Sequence, residues 1–521
     1  MASCVLRHSS FLVALGLVIN CAARISVNEQ VVSRKPAHLL RVAAQEMETT
    51  ASLWIKAKAA MGQNNFAEAR RLLRQAVRQE PKDGALWFHL GVSCVETNEL
   101  DEAISAFERA RALAPKQADV YFDLGLVYWR KGDVNKAKES YLTGLALRPN
   151  ESSALQNYSL LLMKTGDYHA AIAPLLALKS DPKLGISARA ALIECYLKTG
   201  QQAAVERETD EIVRDKVAGP VDQSKIAAIL LENESPEPAE KLLIHSLSMD
   251  PNQANANGAL GEIYLKQKKL QDAADCFQKA IQLNPDSSEY AFGFVRVLLA
   301  LKRPSQLVAF LKSVETKFGA LSNYQYALGL AYYDQHHYAD SAQVMEKLLL
   351  SNPPREDKVE NVLGDSYLSM GKLAEAETAY RKAIDENPKD PKYYVAYATA
   401  LRRGGPDHLD DAIMLLKTAQ GMNPSDWRLQ LELGLCYESK SQFADAAAFI
   451  EQAAQSQPDL TAAHVALARI YFRLGRKADS EREKSMATEL ERKQQEKLVR
   501  EYSTDSLIDG SSQRDSSEPA H

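Results

Sequence analysis

Apolar and small residues recur along this chain in paired stripes. Trp87, Leu90, Gly91 and Cys94 make one stripe, Ala103, Phe107 and Ala110 the next, and Pro115 closes the set. Spacings of three and four place each stripe on one face of an amphipathic helix. The set then repeats. Tyr121, Leu124, Gly125, Tyr128, Ala137, Tyr141, Gly144 and Pro149 each lie 34 residues after their counterpart. Two helices and a break therefore form one unit. Small residues at Gly91/Gly125, Ala103/Ala137 and Ala110/Gly144 predict that two helices approach closely there, while larger side chains fill the groove between them. The proline ends the second helix, because it lacks an N–H and clashes with the preceding turn.

Carried along the chain, the frame predicts units starting at 50, 84, 118, 152, 186, 220, 254, 288 and 322. A one-residue slip beside Pro353 and Pro354 puts the tenth start at Asp357, and the eleventh follows at Pro391. An insertion at Gly404-Gly405-Pro406 moves the twelfth to Trp427, and the thirteenth starts at Thr461. Insertions confined to turns leave helix interfaces intact. Gly62, Gly132, Gly166, Gly200, Gly371 and Gly475 stand where the first helix of a unit ends and read as left-handed caps. The fifth, sixth and eighth units depart from the pattern, with Val205, Ile212 and Leu307 where alanines belong and Pro236, Pro238 and Pro304 in turns. Either the array changes pitch across 186–253 or neighbouring residues compensate.

The 34-residue period with these positions closely resembles the tetratricopeptide repeat. The resemblance implies an all-α, right-handed superhelical solenoid of antiparallel helix hairpins, about thirteen of them over residues 50–494. It also implies a concave groove lined by the first helices, into which the fifth, ninth and twelfth residues of each unit point. Here these include Trp54, Phe88, Val92, Phe122, Leu126 and Trp129 near the N-terminus, and Tyr326 and Tyr333 in the ninth unit. The lysine, asparagine and arginine set with which some members hold a chaperone's C-terminal carboxylate is missing: Ala85, Phe88, His89 and Val92, then Asp119, Phe122, Asp123 and Leu126, stand in its place. The aromatic positions are open to two readings, a groove for an apolar peptide or helix and packing between helices.

Chain ends add a localisation expectation. Residues 1–23 combine Arg7 and His8, an apolar run from Phe11 to Ile19, and the small residues Cys21-Ala22-Ala23. That reads as an export signal, giving a periplasmic or extracellular protein; an organelle transit peptide or an uncleaved membrane-anchoring segment is the alternative. Residues 24–49 form a lead-in with a possible helix at His38–Met47, and 495–521 hold the end of a charged helix and a tail expected to be disordered from Ser503.

Composition narrows function further. Lys+Arg 63 against Asp+Glu 68 gives a net charge of −5, which argues against a nucleic-acid binder. Six cysteines without a CxxC pair give no zinc or redox motif, and the four within the array (Cys94, Cys195, Cys276, Cys436) read as small buried hydrophobes. The neighbouring His336 and His337 have no third ligand and read as turn residues. With the repeats occupying 50–494 and no catalytic motif, the expectation is a non-enzymatic scaffold binding other proteins or peptides, without cofactor, metal or small-molecule substrate. The alternative is an accessory subunit of an envelope assembly or of a polymer or protein export machine.

Overall fold

A computed structural model describes residues 49–511, with side chains described as far as Glu496 except that of Asp215. The proposed signal at 1–23, nearly all of the lead-in at 24–49 and the last ten residues lie outside the described residues. Within them the chain forms 26 α-helices, one short 3-10 turn at Pro406–His408 and no strand. None of these helices is long and apolar enough to cross a membrane.

Two compact units divide the chain after Asp250. Unit one holds six hairpins: α1 (Thr50–Gly62) with α2 (Phe66–Gln79), α3 (Gly84–Glu96) with α4 (Leu100–Leu113), α5 (Ala118–Arg130) with α6 (Val134–Leu147), α7 (Ser152–Lys164) with α8 (Tyr168–Leu178), α9 (Gly185–Lys198) with α10 (Gln202–Asp215), and α11 (Pro220–Glu232) with α12 (Pro236–Met249). Unit two holds seven: α13 (Ala254–Lys266) with α14 (Leu270–Leu283), α15 (Ser288–Ala300) with α16 (Pro304–Phe318), α17 (Ser322–Asp334) with α18 (Tyr338–Leu349), α19 (Glu356–Ser369) with α20 (Leu373–Glu386), α21 (Pro391–Gly404) with α22 (Leu409–Met422), α23 (Trp427–Ser439) with α24 (Phe443–Ser456), and α25 (Thr461–Arg473) with α26 (Lys477–Ser511).

Six of the thirteen hairpins close by laying a large side chain of the second helix over a glycine on the first. Phe107 lies over Gly91, Tyr141 over Gly125, Phe277 over Gly261 and Tyr380 over Gly364. A Cβ on Gly91 would sit 2.5 Å from the Phe107 ring, so only glycine admits that contact. Phe107, Tyr141, Phe277 and Tyr380 are fully buried as a result.

The turn inside each hairpin needs one residue with positive φ, at the fifteenth position of the repeat. Six repeats use glycine there (Gly132, Gly166, Gly200, Gly371, Gly405, Gly475). The other seven force Asn64, Asn98, Glu234, Lys268, Lys302, His336 or Ser441 into the same region, with φ between 54° and 64°. The next amide then bonds back across the helix end, as Asp133 N–H does to the Tyr128 carbonyl at 2.9 Å. Gly62, expected as such a cap, is instead the last residue of α1; Asn64 takes the left-handed conformation, which asparagine tolerates through its short polar side chain. His336 occupies this strained position too, with Nδ1 hydrogen-bonded to the Tyr338 hydroxyl at 2.7 Å.

A second recurrent link joins one hairpin to the next. The residue six positions after a closing carbonyl reaches back to it with a side-chain donor: Trp87 Nε1 to Pro81 O at 2.9 Å, Tyr121 OH to Pro115 O at 3.0 Å, Tyr394 OH to Pro388 O at 3.0 Å. Asn257, Gln325 and Gln430 do the same with amides, at 2.5 to 3.1 Å, Gln223 reaches back five positions to Ala218 O at 3.0 Å, and His464 pairs with Pro458 O at 3.0 Å. Each bond satisfies a carbonyl that the end of a helix leaves open.

The irregular fifth repeat packs differently. Val205 and Ile212 are fully buried where small residues stand elsewhere. Elsewhere in unit one a second helix lies on the following first helix, as α2 does on α3 and α8 on α9; α10 instead lies against α9 and α12. A buried ionic cluster fills this region, with Arg189 Nη1 2.5 Å from Glu208 and Lys179 Nζ 2.7 Å from the same carboxylate. At the other end, α26 packs on α25 through His464 and Glu483 at 2.7 Å and through Gln494, which donates to Thr461 at 3.3 Å. Its backbone stays helical to Ser511, past the Ser503 at which the composition turns polar.

Adding and removing glycine should therefore have opposite effects at the two positions. Gly91→Ala is expected to destabilise the protein by about 1–3 kcal/mol through overpacking against Phe107, and Phe107→Leu in the same chain to recover part of the loss. Lys268→Gly, which relieves φ 62°, is expected to stabilise by about 0.5–1 kcal/mol. Urea denaturation of both variants checks the pair of signs.

Candidate binding face

The first helices α1, α3, α5 and α7 follow one another in unit one, so residues at equal positions in the frame form rows across them. The fifth-position row begins with Trp54, Phe88 and Phe122. All three are half-buried, as are Val92, Leu126 and Trp129 beside them. Trp54 and Phe88 are joined through His89: the His89 ring lies 4.5 Å from Trp54 and 5.4 Å from Phe88. Lys58 stands 5.6 Å over Trp54. Burial, and then the Lys58 charge, push His89 down to about 4, so at neutral pH its imidazole is uncharged.

Phe88 and Phe122 also hold their own hairpins. Phe88 packs on Phe107 of α4, with ring centroids 5.8 Å apart. Phe122 covers Gly144 of α6, at 2.5 Å from where a Cβ would stand, with Arg148 6.0 Å above its ring. Both readings of the aromatic positions are thus represented in these two side chains. Trp54 reaches between consecutive hairpins. Tyr326 and Tyr333 lie in unit two and do not join this row. Tyr326 packs on the cluster around Met345, Val359 and Leu363, and Tyr333 OH meets Ser369 Oγ at 3.5 Å with its ring 5.3 Å from Tyr338.

Next to the aromatic row runs one that sequence reasoning passed over, at the sixth position: His89 on α3, Asp123 on α5 and Asn157 on α7. Asn157 Oδ1 is buried without a hydrogen-bond partner, and so is the hydroxyl of Tyr141, which crosses under α5 from α6. Burial first, and then the carboxylates Asp119 and Glu96, push Asp123 up to about 7. Tyr141 is raised as well, by burial and by the facing Asp123 carboxylate. One signal was available in the sequence: Tyr141 puts a hydroxyl where Phe107 and Phe277 put plain rings.

Three of the four array cysteines are buried and Cys276 partly so, and all are free. Burial pushes Cys94, Cys195 and Cys436 up to about 12, which leaves them as unreactive thiols.

Helix hairpins in a fixed frame, presenting rows of side chains, define an all-α repeat protein. Tetratricopeptide repeat patterns match residues 56–118, 95–158, 254–287, 326–391, 361–405 and 397–461. The chain belongs to the tetratricopeptide repeat family. A curated relative, superkiller protein 3 of Schizosaccharomyces pombe, is 23% identical over 295 residues, which are 53% of this chain and 21% of the relative. The chain thus spans about a fifth of that relative's length. Among solved structures, the Naa15/Naa10 complex bound to HypK-THB is similar at 15% identity and TM-score 0.37, over 86% of this chain and 76% of the other. The Cut9–Hcn1 hetero-tetramer of the APC/C matches at 14% and 0.38, over 80% and 95%. YrrB, described as a repeat protein with an unusual peptide-binding site, matches at 20% and 0.29, over 36% and 96%.

The raised carboxyl of Asp123 has a consequence for stability. A carboxyl near 7 in the folded chain and about 3.9 unfolded binds its proton more tightly when folded. Its favourable contribution is complete below about pH 4 and is lost as pH rises through 7. Asp123→Asn is therefore expected to stabilise the protein at pH 8 by roughly 2 kcal/mol relative to its effect at pH 4, allowing for partial exposure. Denaturation midpoints of the two chains across that range measure the difference.

Proposed function

We propose that the chain is a non-catalytic scaffold that holds partner proteins or peptides on the face formed by α1, α3, α5 and α7. The row Trp54–His89–Phe88 and the half-buried Leu126 and Trp129 support it, because rigid ring faces suit a recognition surface. The helical repeats account for the described chain, and the scaffold reading needs no group beyond them. Trp54 and Trp129 are the residues to change, since Phe88 and Phe122 also close hairpins. Trp54→Ala with Trp129→Ala is expected to leave the melting temperature within a few degrees and to weaken capture of partners from the native source at least tenfold, on the order of 1.4 kcal/mol or more. Identical captured proteins at identical yield would sink this reading.

The apolar run Phe11–Ile19 supports a second proposal, export of the chain to a periplasmic or extracellular space. N-terminal sequencing of the natural protein decides it. A mature chain starting near Arg24 is expected, and an intact Met1 overturns it.

A further inference from the structure

In hairpins three and ten the side chain lying over the glycine is a tyrosine, Tyr141 or Tyr380, where other hairpins place Phe107, Phe277, Met345 or Ile450. Both also carry an aspartate on the first helix facing that tyrosine, Asp123 and Asp365. In hairpin ten the arrangement is closed. Tyr380 OH donates to Asp365 Oδ1 at 2.6 Å and Asn361 Nδ2 donates to Asp365 Oδ2 at 3.1 Å. Hairpin three also pairs a tyrosine with an aspartate, at the sixth position of the repeat where Asp365 is at the ninth, and no hydrogen bond joins them. The Tyr141 hydroxyl and, one hairpin further on, Asn157 Oδ1 are buried without partners, and no described side chain hydrogen-bonds or ion-pairs with Asp123.

Neighbouring charges decide what fits there. Asp119 on the same helix and Glu96 from α3 face Asp123, Tyr141 faces it from α6, α7 contributes the uncharged Asn157, and Glu108 of α4 is engaged by the Tyr128 hydroxyl. The nearby cations are committed or face elsewhere. Arg148 is held by Asp119 at 2.8 and 3.0 Å and by Glu151 at 3.1 Å and Lys58 lies over Trp54, while Arg130 acts on Tyr141 but is not among the charges acting on Asp123. A carboxylate and the phenol oxygen facing it thus stand in a negative field, both able to accept. Arginine and lysine side chains only donate and are positive, so they match on both counts.

We propose that hairpin three receives a cationic side chain, arginine or lysine, of a partner peptide, with its charge on the Asp123 carboxylate beside the Tyr141 hydroxyl. The site rests on the peptide-binding reading of unit one and names the chemistry that this face selects. Pairing requires the ionised carboxylate. Because the empty site holds its proton up to about pH 7, binding below that pH releases the proton, and affinity falls about tenfold per pH unit. Above it the affinity is level.

A random peptide library displayed on phage and selected on the immobilised full-length chain supplies probes. Recovered peptides lacking histidine and acidic residues are synthesised acetylated and amidated, beside copies with citrulline for arginine and acetyl-lysine for lysine. Fluorescence anisotropy between about pH 5.5 and 8.5 then reads affinity for wild type, Asp123→Asn and the Trp54→Ala, Trp129→Ala chain. The expected result is a loss of tenfold or more on neutralising one cation of the peptide, the same loss with Asp123→Asn, and a pH slope present only with the wild type. Asp123→Asn keeps the shape of the side chain, and an unchanged or raised melting temperature shows that the variant folds. Peptides that depend on the two tryptophans yet ignore citrulline, acetyl-lysine and Asp123→Asn overturn the cation site and leave the binding face standing. A library that yields no peptide sensitive to the tryptophans overturns the face, and the cation site with it.

Discussion

A large side chain of the second helix packed on a small residue of the first, in four hairpins a ring on a glycine, is the tightest contact in the array. Phe107 on Gly91, Tyr141 on Gly125, Phe277 on Gly261 and Tyr380 on Gly364 let two helices approach until backbone meets side chain without an intervening Cβ. That closeness fixes the offset between helices, and the offset determines which residues of the first helix face outward for binding. Burying a full aromatic side chain contributes roughly 1.5–3 kcal/mol, and the contact recurs along the array. The exposed rows exist because these buried contacts hold the first helices in the same rotation.

Much of this was legible because the period is long and the positions are specific. The 34-residue frame located the helix pairs, since stripe spacing and closing prolines report local geometry directly. Turn conformation was less legible. Glycine marks a left-handed residue only where glycine is used, and Asn64, Lys268, Lys302 and Ser441 adopt the same φ with no such mark, while Gly62 carries the mark without the conformation. The binding face was legible in part. Fifth-position aromatics could be placed on it, but the division of Phe88 and Phe122 between face and hairpin depends on distances to Phe107 and Gly144 that no spacing reports. Asp123 and Asn157 were hidden for a related reason. An acid or amide on a helix reads as solvated until the helices around it are in place, and only burial changes its chemistry.

The fifth repeat shows how an array absorbs a departure from its own pattern. Val205 and Ile212 take more room than alanine, and α10 accordingly packs on α9 and α12. The space beside it is filled by Arg189, Lys179, Glu208 and Glu211, which partner one another at 2.5 to 3.5 Å. Paired in this way, buried charges are tolerated, whereas removing one partner strands the other at several kcal/mol. The compensation is therefore local, made by residues of two consecutive hairpins.

The bond that eight hairpins make back to the carbonyl ending their predecessor gives the array a grain. Trp87, Tyr121, Gln223, Asn257, Gln325, Tyr394, Gln430 and His464 each stitch one seam, and the equivalent positions at Leu155 and Ala291 carry no polar atom with which to do so. Seams of unequal strength make a chain of links rather than a uniform rod. Strain from a bound partner or from pulling would gather at the seams before Leu155, Arg189, Ala291 and Glu360, where that bond is not made, while the stitched hairpins keep their form.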